Sequence, residues 1–429
     1  MIPAIEHKST SEIIALQEEK LRQLLIYLND NSPYYKNLFS DLNIALESIQ
    51  TLDDLSKLPT TSKTDLQENN DAFFCVPKEE IVDFATTSGT LGSPVIFGLT
   101  DKDLDRLAYN EAISFACAGI QKGDVVQLMT TMDRRFMAGL AYFLGLRKLG
   151  ASAIRVGAGI PELQWDSILK FKPKYLVSVP SFLLKLIDYA EKNGIDINKT
   201  SVKGVICIGE ALRNQDFSPS VLTKMITDKW NINLFSTYAS TEMSTAFTEC
   251  EAQIGGHHHP ELIITEVLDE NDQPVKPGES GELTITTLGI EAMPLLRFKT
   301  GDVVIMHSEK CVCGRNTQRV GPVLGRKKHM IKYKGTTLYP TAMHDLLACM
   351  EDVQTHLIEI STDEIGMDEI SIKIASRNPS DALLEKIKDH FKAKLRVVPA
   401  IEFVDASVLQ KINFPPMSRK PIMLIDNRK

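Results

Sequence analysis

Four residues have the donor types and spacing of a metal site. Cys311 and Cys313 stand either side of one residue just before Gly314, and far upstream Cys250 precedes His257 by seven positions, within the run Gly255-Gly256-His257-His258-His259. Two thiolates do not complete a tetrahedron, but three cysteines and a histidine are an ordinary structural zinc set. The set forms only if the intervening segment folds back on itself. Four protein ligands leave no open position for substrate or water, so the role of such a metal would be structural. The competing reading is a merely buried Cys250 beside exposed loop histidines.

A second concentration of chemistry is Thr86-Thr87-Ser88-Gly89-Thr90-Leu91-Gly92-Ser93-Pro94. Glycine tolerates unusual dihedrals and close approach, so this loop can aim several backbone N–H groups and hydroxyls at one anion. It is not a Walker A loop, because no Gly-Lys-Ser/Thr follows at the required spacing, and it is not G-x-G-x-x-G. Taken alone it is as much a surface turn as a phosphate cradle, since Ser, Thr, Gly and Pro also dominate ordinary loops.

The elements that hold these residues follow from the apolar patterning. Ser9 and Glu12 fit a capping box ahead of a helical stripe of Ile13, Leu16, Leu21, Leu24, Leu25 and Leu28. Apolar runs at Val125 to Met129, Ala153 to Val156, Tyr175 to Val179, Val205 to Ile208 and Leu234 to Tyr238 then alternate with helical segments, which predicts a mostly parallel α/β sheet. Short strands at Leu262 to Val267, Glu282 to Thr287 and Val303 to Met306, separated by turn sequences, predict an appended β-rich subdomain. Beyond Gly325-Arg326 the pattern is mixed, with helices near 341–350 and 380–395 and strands near 355–361, 369–375 and 400–404. The expected fold is α/β: a large N-terminal body over residues 1–325 and a small, mobile α+β domain over residues 326–429.

Composition bounds the function. The chain has 429 residues, long enough for two domains, and a formal net charge of -8, which argues against nucleic acid as the main partner. Residues 326–429 hold 17 Lys and Arg against 14 Asp and Glu, so the small domain is slightly basic and the body acidic. No apolar run approaches the roughly 18 residues that cross a bilayer, and the N-terminal sequence lacks a signal-peptide pattern. The expectation is a cytoplasmic protein without a membrane partner. Seven scattered cysteines do not form a secreted disulfide framework. Monomer and homodimer both remain open.

Read in order, the glycine-rich loop, Tyr238-Ala239-Ser240-Thr241-Glu242, Arg297-Phe298-Lys299-Thr300-Gly301-Asp302, Gly325-Arg326-Lys327-Lys328-His329-Met330-Ile331-Lys332 and Lys420 resemble the adenylate-forming superfamily over essentially the whole chain. In that superfamily acyl-CoA synthetases join an acid first to AMP and then to a thiol. The segment Cys311-Val312-Cys313-Gly314-Arg315 and the length resemble its phenylacetate-CoA ligase branch, which often carries the same Cys, His and Cys-x-Cys pattern.

The resemblance implies roles. Ser88, Gly89, Thr90 and Gly92 would cradle the β- and γ-phosphates of ATP, Thr241 would contact the α-phosphate, and Glu242 would ligate Mg²⁺ as a hard oxygen donor. Gly209-Glu210-Ala211 would line the adenine site and Tyr238 would stack beside the base, next to Ala239 and Ser240. Asp302 would accept hydrogen bonds from the ribose hydroxyls and Arg326 would reach the ribose or a phosphate. Lys328 falls at the family's hinge, where Asp is usual, and Ala239 and Arg419 replace usual glycines. Lys420, six residues before Asp426, matches the terminal adenylation lysine. Phe136 would wall the acid pocket. After rotation of the small domain, the Lys332-Tyr333-Lys334-Gly335 segment would approach coenzyme A.

The implied activity is ATP-dependent, AMP-forming ligation of phenylacetate or a related aryl acid to CoA. One rival passes the acyl group to a carrier thiol or an amine; the absence of a following carrier domain favours CoA. Another rival, motivated by the departures at Ala239, Lys328 and Arg419, is a zinc-stabilised nucleotide-binding protein without ligase activity.

Overall fold

The computed structural model describes residues 2–87, 94–333, 336–350, 352–363, 367–414 and 421–428. Ser88, Gly89, Thr90, Gly92, Gly335 and Lys420 lie outside the described residues. The chain divides into two compact units, one of Met1–Thr300 with Val304–Pro322 and one of Gly301–Val303 with Val323–Lys429.

The larger unit begins with the helix Thr10–Asn31, whose Ser9–Glu12 capping box is present and whose Leu21, Leu25 and Leu28 are buried. A hairpin of β1 (Asp83–Thr86) and β2 (Ile96–Leu99) carries the glycine-rich segment between its strands. The central sheet contains β3 (Val125–Leu128), β4 (Ser152–Arg155), β5 (Tyr175–Ser178), β6 (Gly204–Ile208) and β7 (Asn233–Ser240) in the parallel order β4-β3-β5-β6-β7. These strands are apolar on both faces because helices cover both. Leu176 and Val205 point into one core with Trp165, Leu183, Leu186 and Trp230. Their neighbours Val177 and Ile206 point into the other with Phe115, Tyr142 and Leu146, the alternation that the two-residue strand period dictates.

The sheet continues with antiparallel β8 (Thr245–Glu249) and short β9 (Gly256–His257), then β10 (Ile263–Leu268), β11 (Ser280–Thr287), β12 (Phe298–His307) and β13 (Arg319–Val320) in the spatial order β10-β11-β12-β13-β9-β8. This is the β-rich part that the turn sequences predicted. Gly256 has a packing reason: a Cβ there would lie 2.4 Å from the Phe247 carbonyl oxygen of β8.

In the smaller unit, β14 (Gly325–Arg326) pairs with Asp302 and Val303, and β15 (Ile331–Tyr333) forms a hairpin with β16 (Thr336–Leu338). A four-stranded sheet follows, of β17 (Val353–Thr362), β18 (Asp368–Ser376), β19 (Ala400–Phe403) and β20 (Leu424–Asp426), in the order β19-β18-β17-β20. One of its faces packs Ile358, Ile360, Ile370, Ile372 and Ile374 against Leu347, Ile387 and Phe391 of helices Pro340–Ala348 and Asp381–Leu395. Among the described residues, no helix is long and apolar enough to cross a membrane.

Candidate active site

In a doubly wound sheet, ligands bind beyond the carboxyl ends of the strands, where successive connections depart to opposite sides. Here that divergence lies between β3 and β5, because the helix Met137–Leu149 leads from β3 to β4 and the helix Pro161–Phe171 leads back across to β5. Phe136 sits in the loop after β3, half-buried, as the residue before that first helix. Gly209-Glu210-Ala211 directly follows β6, and Thr241-Glu242 directly follows β7. The glycine-rich segment emerges at the same rim: the Thr86 N–H donates to the Arg135 carbonyl in the loop after β3 at 3.1 Å. Its neck is closed by Thr87 N–H to the Val95 carbonyl and Val95 N–H to Thr87 Oγ1, both 3.1 Å.

The loop after β6 turns at Gly209, whose φ of +77° is a glycine conformation. The Glu210 carboxylate accepts from the N–H and hydroxyl of Ser181 at 2.8 and 2.7 Å, at the start of the helix Pro180–Lys192. Glu210 thus braces the loop, and the loop faces the rim with backbone. Tyr238 stacks on its cross-strand partner Phe247, with ring centroids 6.0 Å apart. Ala239 is exposed and Ser240 half-buried on the same strand.

Thr241 to Ser244 form a single tight turn: Met243 N–H donates to Ser240 Oγ at 3.3 Å, and Ser244 Oγ donates to the Thr241 carbonyl at 3.2 Å. Two basic residues outside every motif act on this turn. Lys63, at the start of the helix Lys63–Glu68, lies 3.9 Å from Glu242 Oε1. Arg106 is buried in the helix Asp101–Cys117 and donates to the carbonyls of Leu288 (2.7 Å), Ser244 (2.7 Å) and Leu262 (2.6 Å) and to Thr245 Oγ1 (3.2 Å). Burial pushes the Arg106 guanidinium down to about 10, partly offset by Asp103 and Glu261, so it stays charged at neutral pH. No local sequence signal marks either residue, because each meets its partners through tertiary contact.

Arg106→Met leaves four acceptors without their donor, three of them backbone carbonyls. The expected loss is about 3 kcal/mol or more of unfolding free energy, since each buried unsatisfied group costs roughly 1–3 kcal/mol. Urea unfolding measures it; a loss under about 1 kcal/mol would mean that Arg106 does not hold the turn.

The Arg297 motif is also structural at its first residue. Arg297 forms a two-point pair with Glu266 at 3.0 and 2.8 Å and donates to the Leu58 carbonyl. In the smaller unit, Asp302 and Arg326 are backbone partners, and Arg326 Nε lies 3.2 Å from Asp302 Oδ1. The structure therefore brings together two residues that the motifs assign to the ribose side. Lys328 lies in the 3₁₀ turn Lys327–His329, and exposed Lys332 lies on β15.

The thiol and imidazole groups of Cys250, His257, Cys311 and Cys313 converge, with all four ligand atoms within 4.8 Å of one another. Cys250 Sγ lies 3.7 Å from Cys311 Sγ, and His257 Nε2 lies 3.5 Å from Cys313 Sγ. His257 Nδ1 is 3.0 Å from Thr317 Oγ1, which leaves Nε2 as the donor atom toward the thiols. Arg315 donates to Cys313 Sγ at 3.4 Å and pairs with Glu6 at 2.6 Å, tying the N-terminal segment to the cluster. Burial pushes the Cys250 thiol up to about 12 and keeps His257 neutral. Burial also acts against a Cys313 thiolate, but hydrogen bonds from His257 and Arg315 outweigh it and draw that thiol down to about 5. The chemistry of this donor set fits zinc.

A parallel sheet with acid-side, nucleotide-side and carboxylate-bearing loops on one rim defines an AMP-binding enzyme of the adenylate-forming class. The AMP-binding enzyme family matches residues 23–291. Phenylacetate-coenzyme A ligase of Thermus thermophilus is 30% identical over 382 residues, covering 88% of this chain and 84% of its own. The Escherichia coli phenylacetate-coenzyme A ligase is 28% identical over 387 residues, covering 88% and 85%. In fold, the chain is similar to 2-hydroxyisobutyryl-CoA ligase solved in complex with 2-HIB-AMP, at TM-score 0.84 and 22% identity, covering 100% of this chain and 94% of that one. The chain belongs to the AMP-binding enzymes, within their phenylacetate-coenzyme A ligase family, and is an AMP-forming acid–CoA ligase.

Proposed function

We propose that the acid is phenylacetate or a related aryl acid, activated as its acyl-adenylate and then transferred to coenzyme A. The observation that carries this reading is the convergence of the glycine-loop neck, the loop after β3 with Phe136, Gly209-Glu210-Ala211 and Thr241-Glu242 on one rim of the sheet.

A carboxylate attacks the α-phosphorus of ATP poorly because both are anionic, so the site must neutralise charge and align the reactants. Ser88, Gly89, Thr90 and Gly92 hold the outer phosphates and Thr241 the α-phosphate. Glu242 is the carboxylate that would hold Mg²⁺, whose charge then offsets that of the phosphates. Asp302 and Arg326 orient the ribose, while Tyr238, Ala239, Ser240 and the Gly209–Ala211 backbone bound the base. Phe136 excludes water on the acid side. Lys420 bridges the acid and the α-phosphate as charge moves to pyrophosphate. Residues 326–429 act as a mobile lid pivoting at Lys328, which replaces Lys420 at the rim by Lys332 and Gly335 for the CoA step. Cys250, His257, Cys311 and Cys313 hold a structural Zn²⁺. All seven cysteines are free thiols, which supports a reducing, cytoplasmic setting.

The test is acid-dependent ATP–pyrophosphate exchange over a panel of aryl and short aliphatic acids, followed by CoA-dependent product formation. Aryl acids are expected to give the highest kcat/KM. Exchange with aliphatic acids alone would overturn the substrate class, and exchange without a CoA product would point to another acceptor.

A further inference from the structure

Arg428, in none of the motifs, is the most heavily engaged cation of the smaller unit. Its side chain is only 18% exposed, and its planar fork has donors in use at all three nitrogens. Nη2 donates to the Lys328 carbonyl and to Asp426 Oδ2, both at 2.7 Å. Nη1 donates to the Met330 carbonyl at 2.7 Å and to Asp368 Oδ2 at 3.1 Å. Nε donates to Asp426 Oδ1 at 2.9 Å. The same Asp368 Oδ2 accepts the backbone N–H of Lys332 at 2.7 Å.

These bonds join three pieces of chain. One is the hinge segment Lys328 to Met330, the second is the start of the β15–β16 hairpin at Lys332, and the third is the terminal strand β20, which Lys420 precedes. β20 is itself pinned to β17, with Ile360 opposite Asp426 and the Asn427 N–H donating to the Ile360 carbonyl at 2.7 Å. Rotation about φ and ψ of Lys328 leaves the Lys328 carbonyl with the C-terminal side of the pivot. A donor that holds this carbonyl therefore fastens the first peptide beyond the pivot to the rest of the unit. The bond that spans the pivot is different: the Met330 N–H donates to the Lys327 carbonyl at 3.1 Å, so rotation at Lys328 must disturb it.

We propose that Arg428 is a positioning residue that makes everything after Lys328 one rigid lever, so that the Lys332 hairpin and the Lys420 segment are carried together between the two half-reactions. The inference rests on the two-position lid of the proposed function. It differs from a local packing role in predicting a catalytic effect far from substrate. Acid and ATP bind on the larger unit, so loosening the lever leaves their KM values alone and lowers kcat.

The full-length protein carrying Arg428→Gln is assayed in each half-reaction, with pyrophosphate exchange for adenylation and CoA transfer from preformed acyl-adenylate for the second step. Both rates are expected to fall about tenfold or more, with KM for acid and ATP within about twofold of wild type. Arg428→Lys, which keeps the charge but not the fork, is expected to fall between the two. Asp368→Ala, which frees the Lys332 end, is expected to slow CoA transfer more than adenylation. Wild-type rates in both half-reactions for Arg428→Gln, or a uniform rise in KM with kcat unchanged, overturn the proposal. Should the wild-type chain itself show no acid-dependent exchange, the ligase reading fails first, a result visible before any variant is made.

Discussion

Replacing Lys420 by alanine is expected to slow acyl-adenylate formation by about 10²–10³-fold, the usual cost of removing one directed donor from a charge-developing transition state. The lysine's cation is needed only while the carboxylate and the α-phosphate approach and negative charge moves to pyrophosphate. Once the adenylate exists that demand is gone, so CoA transfer from preformed acyl-adenylate should proceed near the wild-type rate. Lys420 lies outside the described residues, but the chain on either side is anchored. The Ile422 N–H donates to the Asn413 carbonyl at 2.8 Å, and the Asn413 side chain donates to Thr355 Oγ1 at 2.9 Å and to the His356 carbonyl at 3.1 Å. The lysine is thus delivered from a fixed base. Single-turnover assays of the two steps are the measurement. Equal slowing of both would end the division of labour between Lys420 and the Lys332 segment.

Loss of the metal is expected to be the largest stability effect. Untagged protein should contain about one zinc per chain, and Cys311→Ala should lose it and lower the unfolding free energy by roughly 3 kcal/mol or more. Cys311 and Cys250 are buried side by side, so removing one leaves a deprived site inside the body, where no water can substitute for the missing ligand. The cluster also holds distant parts of the chain, since Arg315 pairs with Glu6 beside it and Glu6 lies 2.6 Å from His259 Nδ1. Metal analysis by mass spectrometry and thermal unfolding with and without chelator check both halves. Protein free of zinc and unaffected by chelator would remove the metal from this reading.

The strands of the central sheet were legible because each is a short apolar run between turn residues, and burial on both faces demands such a run whatever it pairs with. The N-terminal capping box was legible because its partners are three residues apart. The zinc ligands were legible as residue types, since thiols and imidazole announce their chemistry in any context. Arg106, Lys63 and Arg428 were not. An arginine in an amphipathic helix reads as solvated surface, and only folding reveals that Arg106 lies beneath the Thr241–Ser244 turn with its donors spread over three other segments. Glu210 likewise changes meaning: its motif suggests a ligand contact, whereas its carboxylate is engaged by Ser181.

The unit boundary shows the same division. The expected break at Gly325-Arg326 followed a change in composition, while the compact units separate at Pro322 and take Gly301–Val303 into the smaller one. Asp302 joins that unit because its backbone pairs with Arg326, a contact that no local pattern encodes. The sequence by itself determined the family, the order of the motifs and the kinds of donor available, because these depend on residue type and short-range spacing. Which donors meet, which charges are buried and which carbonyls brace the loops were decided only in the tertiary structure, because those properties belong to pairs of segments far apart in the chain.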